Sequence, residues 1–252
     1  MCFTGLSILF SLLMQVFAPT GTLRAVYLSN NPAHAVKDPA SGEVHGVAID
    51  LAQELARRLG IKVTVIGVQS PQNVIDAVLR GDADIGFVAF NPERTGPVEF
   101  SQTYMVVQQT FIVHNDSPIT SVKQVDRANQ KIGATKGDSI ALYLSRNLKQ
   151  AQLVEIADAN VTEARQMLLD HKIDAFGANR QRLTDALRGA SGLRLLPDDL
   201  YGVEQNIVVA KGRPEALKAV NLFIDDVRNS GFLRAAIEKS GVIGISVAPG
   251  AK

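Results

Sequence analysis

The stretch that decides the fold runs from Gly81 to Val113 and has the sequence GDADIGFVAFNPERTGPVEFSQTYMVVQQTFIV. Its apolar runs, bounded by glycine, asparagine and proline, predict a short strand at Asp84–Phe90 and a longer one at Met105–Val113. Between them, Asn91–Arg94 forms a polar elbow that places an arginine just past the end of a strand. Ligands of open α/β sheets bind at that end, and the guanidinium fork suits a carboxylate or a phosphate. Arg94 is therefore either an anion-binding residue or an ordinary arginine in a surface turn.

The sequence before this stretch alternates strands with helices. Gly60 provides a C-terminal cap for the first helix, and Ser70 followed by Pro71 is a typical helix start. This order, with its short connections, predicts a parallel sheet covered by helices. The predicted elements are a strand at Thr22–Leu28, a helix at Val47–Leu59, a strand at Ile61–Val68 and a helix from Ser70 to Arg80.

The same alternation restarts after the long strand, which predicts a second α/β unit. The elements expected there are a short helix at Ser121–Val125, strands at Lys131–Thr135, Leu153–Ala157, Ile173–Ala178 and Leu193–Leu196, and helices at Ile140–Leu148, Arg180–Leu187 and from Asn160 as its cap to about His171. A strand at Glu204–Lys211, helices at Pro214–Asn229 and Phe232–Lys239, and a loose tail at Ser246–Lys252 complete the prediction.

Composition excludes several classes of function. The 252 residues carry 26 basic and 25 acidic side chains, so no nucleic-acid partner is expected. The only cysteine is Cys2, which rules out an intrachain disulfide. The four histidines, which we expect to be solvated or to cap elements, show no metal-ligand spacing, so we predict no metal. They are His34, His45, His114 and His171.

Residues 1–20 carry no charge and contain the apolar run Leu6–Phe17. That run is too short to cross a bilayer and has the length of the apolar region of a signal peptide. A basic segment before it is missing, as a start codon placed too far downstream would explain. We predict a signal peptide at residues 1–20 and export to the periplasm; the alternative is a buried N-terminal strand or helix.

The organising stretch resembles a known family. Asn91–Arg94, Phe100-Ser101 and Tyr104 resemble the T-x-x-x-R … F-S-x-P-Y block of the periplasmic amino-acid-binding proteins of ABC importers. Leu79–Asp84 is similar to their L-x-x-G-x-x-D motif, and the resemblance extends over roughly Thr22–Gly241. It implies the type 2 periplasmic-binding-protein fold: two α/β lobes with mainly parallel sheets, joined by two crossing strands, with a ligand cleft between them. Lobe 1 would comprise residues 21–109 and 207–252, and lobe 2 residues 110–206.

The resemblance also assigns ligand-binding roles. Arg94 matches the arginine that grips an α-carboxylate, and Ser139 matches the hydroxyl residue of a G-[ST]-[ST] turn, although an ordinary cap is the alternative. Asn179 stands where the family has an aspartate for the α-amino group, and Ala89 replaces a hydroxyl residue. These two departures put a standard amino acid in doubt, because asparagine lacks the charge that holds an ammonium group.

Four further residues complete the sequence-based interpretation of the site. Asn91 and Asp138 flank the matched arginine and serine, and Glu204 is either a carboxylate for an amine or an exposed strand end. Arg180 is either a second anion contact or an ordinary first-turn residue of its helix, and we expect the latter.

The resemblance implies a monomeric solute-binding protein without a cofactor. It would capture a small carboxylate-bearing solute by cleft closure and deliver it to the membrane permease of an ABC importer. Two alternatives stay open on the sequence. One is an exported dehydratase acting on prephenate-like diacids, with an acid–base group among His34, Asp138 and Glu204; the other is a ligand sensor for a receptor. No catalytic motif is present, which favours a binding protein over an enzyme.

Overall fold

The computed structural model describes residues 20–38, 40–157 and 161–250. The predicted signal peptide, apart from Thr20, lies outside these residues, as do Cys2 and the expected helix cap Asn160. The chain divides into two compact units, with the divisions after Val106 and after Val203. The first unit holds the residues before and after these divisions, and the second unit holds residues 107–203.

The first unit is built on a parallel sheet. Strand β1 pairs in parallel with β4 on one side and with β5 on the other, and β12 then adds antiparallel to β5. The predicted parallel core is therefore confirmed. The elements are β1 (Thr22–Leu28), β2 (Val36–Lys37), β3 (Val44–His45), α1 (Val47–Leu59), β4 (Lys62–Val68), α2 (Pro71–Leu79), β5 (Ile85–Ala89) and β6 (Val98–Phe100), followed after the second unit by β12 (Tyr201–Ala210), α6 (Pro214–Asn229), α7 (Phe232–Ser240) and β13 (Ile245–Val247).

The second unit repeats the plan with a different chain order. Strand β8 pairs in parallel with β9 and with β10, and β7 runs antiparallel to β10 and to β11. The elements are β7 (Met105–His114), β8 (Lys131–Thr135), α3 (Ser139–Asn147), β9 (Gln152–Ile156), α4 (Thr162–Leu169), β10 (Ala175–Asn179), α5 (Arg180–Leu187) and β11 (Leu193–Leu195).

Local sequence signals account for the helix ends. Gly60 ends α1 in the left-handed conformation with φ 63°, which glycine adopts without a steric penalty. At the start of α2, Ser70 Oγ accepts a hydrogen bond from Asn73 N at 3.1 Å, and Pro71 is the first helical residue. Both predicted caps are confirmed.

The buried strand β7 is apolar on both faces because each face meets its own core. Phe111 and Val113 pack into one cluster of buried residues, whereas Ile112 packs into another. Successive side chains of a strand point to opposite faces, so a continuous apolar run is what a strand covered on both sides requires.

An aspartate ties neighbouring parallel strands together in each unit. Asp84 N donates to Arg24 O at 2.8 Å, and Asp84 Oδ2 accepts from Arg24 N at 2.8 Å and from the guanidinium of Arg24. In the second unit Asp174 N donates to Lys131 O at 2.8 Å, and Asp174 Oδ2 accepts from Lys131 N at 2.7 Å. These bonds give both aspartates a structural role.

The structure differs from the sequence-based prediction, or adds to it, at three places. The tail predicted to be loose from Ser246 contains β13, and buried Ala248 N donates to Tyr104 O at 3.1 Å. The short helix expected at Ser121–Val125 is a single 3₁₀ turn. Strand β6, which the sequence analysis missed, pairs antiparallel with β12. Three-residue strands depend on a partner from elsewhere in the chain, and local periodicity does not reveal that partner.

No helix within residues 20–38, 40–157 and 161–250 combines the length and the apolar character needed to cross a membrane.

Candidate functional site

The elbow after β5 holds Arg94 in a defined position. It forms a single 3₁₀ turn in which Asn91 Oδ1 accepts from Glu93 N at 3.0 Å and Arg94 N donates to Asn91 O at 2.9 Å. The half-buried Arg94 side chain folds back, and its Nη1 donates to Ala89 O at 3.3 Å. The guanidinium therefore lies at the carboxyl end of the parallel strand β5, which is where such sheets collect ligands.

Strand β12 brings a second group of side chains to this end of the first unit. Gln205 lies opposite Ala89, and Phe90 N donates to Glu204 O at 2.9 Å. The Glu204 side chain is exposed, whereas Gln205 is buried at 1% exposure. In the first unit the structure thus places Ala89, Asn91, Arg94 and Glu204 at one edge of the sheet.

His34 is buried at this edge, so the expectation that it is solvated or caps an element was wrong. It follows β1, has 0% exposure, and places Nε2 2.9 Å from Gln205 Oε1. An amide oxygen only accepts, so Nε2 carries the proton, and Nδ1 is buried with no hydrogen-bond partner among the described residues. Burial lowers the pKa of His34 from 6.5 to about 4. A neutral histidine sealed from solvent does not suit the acid–base role considered for a dehydratase.

In the second unit the polar side chains collect where β8 ends and α3 begins. Asp138 occupies the N-cap position of α3, and Ser139 is the first helical residue, so Ser139 is not the cap itself. The Asp138 carboxylate makes no capping hydrogen bond to the described start of this helix. It accepts instead from Arg182 Nη1 at 2.7 Å, and Arg182 Nη2 donates to Thr135 Oγ1 at 3.1 Å.

Asn179 ends β10 and begins the adjacent helix. Its Oδ1 accepts from Arg182 N at 2.8 Å, so it caps α5, and β10 runs parallel to β8. The structure therefore places Asp138, Ser139 and Asn179 at the carboxyl ends of two neighbouring parallel strands. The helix N-termini that follow favour negative charge.

Arg182 is the residue at this edge that sequence reasoning missed. Its side chain is 15% exposed and links Asp138 to Thr135. The sequence signal is weak: Arg182 lies in the first turn of a helix, three residues after its cap. Only the parallel pairing of β8 with β10 brings it to Asp138.

The Arg180 side chain binds the segment between β11 and β12. Its guanidinium donates to Asp199 Oδ1 at 2.7 Å and to the carbonyl oxygens of Leu196, Pro197 and Asp198. These bonds fix the segment between β11 and β12.

Comparison with known proteins places this geometry in a family. Residues 23–241 match the model of the bacterial extracellular solute-binding proteins, family 3. The chain is 24% identical over 228 residues to the L-arginine-binding protein of Pseudomonas aeruginosa, covering 86% of this chain and 87% of that one. It is 28% identical over 160 residues to cyclohexadienyl dehydratase of the same organism, covering 62% and 57%.

A solved structure shows the same fold. The amino acid ABC transporter substrate-binding protein AbpA from Streptococcus pneumoniae, bound to L-arginine, superimposes with a TM-score of 0.72 at 21% identity, covering 90% of this chain and 97% of that one. The type 2 periplasmic-binding-protein fold is thereby confirmed.

The family model spans most of the chain, whereas the dehydratase match spans little more than half of that enzyme. The expectation of a solute-binding protein, not an enzyme, is therefore confirmed. By the extent of that match, this chain belongs to the bacterial extracellular solute-binding proteins of family 3.

Proposed function

We propose that this protein captures a small solute bearing a carboxylate, either an amino acid or a related organic anion, and delivers it to the permease of an ABC importer. The observation that carries the proposal is the position of Arg94, held by backbone hydrogen bonds at the carboxyl end of β5. A guanidinium fixed in this way is preorganised for two parallel hydrogen bonds to a carboxylate.

In the second unit the proposed anion contacts are Ser139 and the first amides of α3. The Asp138 carboxylate is turned toward Arg182 and makes no capping bond to those described amides, so it does not compete for them. Those amides lie at a helix N-terminus, where the helix dipole favours an anion.

The rest of the ligand would meet Asn179. Its amide oxygen already accepts from Arg182 N and carries no charge. It would therefore bind a ligand ammonium group less strongly than a carboxylate would. Arg182 adds a positive charge beside it, partly balanced by Asp138. These features support an organic anion as a competitor of the zwitterionic amino acids.

Arg94→Ala tests the assignment. Removing one partner of a buried charged pair costs about 2–5 kcal/mol, or roughly thirtyfold to several thousandfold in Kd. A thermal-shift screen of amino acids, dicarboxylates and phosphonates identifies the ligand, because binding to the folded state raises its stability. Calorimetric titration of that ligand then compares wild type with the variant.

Arg80→Ala is the matched control. Arg80 is an exposed arginine at the end of α2 whose guanidinium pairs with Asp82 Oδ2 at 2.8 Å. The Arg80→Ala variant should bind the ligand with the affinity of wild type, and circular dichroism should show that both variants are folded. A folded Arg94→Ala protein that binds within threefold of wild type would reject the role of Arg94.

The screen also tests the enzyme alternative. Prephenate belongs in it, with an assay for the dehydrated and decarboxylated product. Binding without turnover supports capture and delivery, whereas multiple turnovers by the purified protein would overturn the proposal.

We propose further that the protein is exported to the periplasm with residues 1–20 removed and acts as a monomer. The charge-free apolar run Leu6–Phe17 supports the export. Mass spectrometry of protein recovered from the periplasm should find an N-terminus between Pro19 and Thr22. Soluble cytoplasmic protein that retains Met1 would contradict it.

A further inference from the structure

Two histidines that are far apart in the sequence meet on the surface of the second unit. His114 ends β7, and His171 follows α4; their ring centroids lie 4.5 Å apart. Asp116 joins them, with Oδ1 2.5 Å from His114 Nδ1. One ligand atom from each of the three residues lies within 4.8 Å of the other two.

We propose that His114, Asp116 and His171 form a binding site for a divalent transition-metal ion such as Zn²⁺. Two imidazoles and a carboxylate are a common set of protein ligands for zinc, and imidazole also suits nickel and copper. Magnesium and calcium prefer ligand sets made only of oxygen. Three protein ligands leave one position of a tetrahedral ion for water.

The distances require little adjustment. Bonds of roughly 2.0–2.2 Å to one tetrahedral ion place the ligand atoms about 3.3 Å apart. The rings therefore have to close by about 1 Å or somewhat more, which rotation of exposed side chains allows. Asp116 and His171 are exposed, and the His114 side chain is 23% exposed, so all three reach solvent.

The backbone under each ligand is fixed. Asn115 N donates to Gly192 O at 2.8 Å and Ser117 N donates to His114 O at 3.0 Å, which holds the turn that carries Asp116. The Arg194 guanidinium donates to carbonyl oxygens of the same segment, at Ser117 and Ile119. His171 adopts the left-handed conformation with φ 53° directly after α4, and its N donates to Leu168 O at 3.1 Å. The left-handed conformation is uncommon for residues other than glycine, although histidine is among those enriched in it.

The neighbouring charges permit a cation. Lys172, which follows His171, pairs with Asp170 Oδ2 at 3.0 Å, so its charge is balanced locally. The Asp116 carboxylate is the acidic group closest to His114, and an ion would take the place of the proton it shares with that ring.

This site is remote from the proposed solute contacts of the second unit. In the pairing of β7 with β10, Val113 lies opposite Ala175, and Gln109 lies opposite Asn179. The cluster therefore lies at the other end of β10, about 15 Å away at the rise of a strand. Binding of the metal should not require the solute, so the inference does not depend on the proposed function.

Calorimetric titration of ZnCl₂ into the full chain without a polyhistidine tag tests the proposal. We expect one ion per chain and a higher midpoint of thermal unfolding, because an ion bound only by the folded state stabilises it. His171→Ala and His114→Ala should each weaken binding at least tenfold, and Co²⁺ should give the visible absorption of a tetrahedral site. His171→Ala is the more decisive variant, since its exposed side chain contributes little to folding.

His45→Ala is the matched control. His45 lies in β3 of the first unit, outside the cluster, and its loss should leave zinc binding unchanged. Two results would overturn the proposal. One is wild type that takes up no zinc at millimolar concentration; the other is folded His114→Ala and His171→Ala that both bind one zinc with the wild-type affinity.

Discussion

Replacing buried His34 should change how the stability of this protein depends on pH. In the folded protein the ring has no exposure, Nε2 donates to Gln205 Oε1, and no described residue hydrogen-bonds to Nδ1. Protonation would add a charge and an unsatisfied donor inside the first unit. The folded state therefore resists protonation, and the pKa of His34 falls to about 4.

The sign and the size follow from linkage between proton binding and folding. Above about pH 6.5 the ring is neutral in both states, and the stability is fully present. As the pH falls from 6.5 toward 4, only the unfolded chain takes up the proton, so stability is lost. Because each pH unit of this interval changes the stability by somewhat more than 1 kcal/mol, the loss is limited to roughly 3 kcal/mol, and most of it is reached by pH 4.5.

His34→Gln isolates this contribution because glutamine keeps an amide donor for Gln205 but does not titrate. Urea unfolding followed by circular dichroism at about pH 8 and pH 4.5 gives the free energy of unfolding of both proteins. The loss between these two pH values should be smaller by roughly 2–3 kcal/mol in the variant. His45→Gln, which replaces a half-exposed histidine of the same unit, should leave the loss unchanged.

Equal losses in wild type and folded His34→Gln would refute this reasoning. They would mean that His34 takes up its proton equally in the folded and the unfolded chain, and that Nδ1 has an acceptor or solvent in solution.

Two further predictions concern the strand-tying aspartates Asp84 and Asp174, which are compared with each other, and the cap residue Asn179. Asp84→Ala should lower the free energy of unfolding by about 3–5 kcal/mol, because the side chain of Asp84 is 1% exposed and its removal takes the acceptor from Arg24 N, Nε and Nη2. Asp174→Ala, which removes the equivalent bond at an exposed position, should cost only about 1 kcal/mol in urea unfolding; equal costs would argue against the ion pair. Asn179→Asp should keep the cap of α5 and improve calorimetric binding of zwitterionic amino acids while weakening binding of dicarboxylates; no change for either class would mean that Asn179 does not face the ligand.

The residue pattern alone was enough to predict the alternation of strands and helices, the ends of α1 and α2, and the two-unit α/β organisation. These features depend on periodicity and on caps that involve residues a few positions apart, so a short stretch of sequence is enough to predict each of them. The elbow at Asn91–Arg94 could be predicted for the same reason. Its hydrogen bonds join residues within one turn and the adjacent strand end.

Tertiary structure decided the features that join distant parts of the chain. The burial of His34 against Gln205, the link from Arg182 to Asp138, and the meeting of His114 with His171 each depend on which strands become neighbours. Strand order and register are set by the packing of whole faces of helices and sheets. The identity of a single residue therefore does not reveal which distant residue it will contact. The sequence by itself therefore determined the fold class and the elbow arginine, while only the folded chain determined which polar groups are buried, paired or gathered into a cluster.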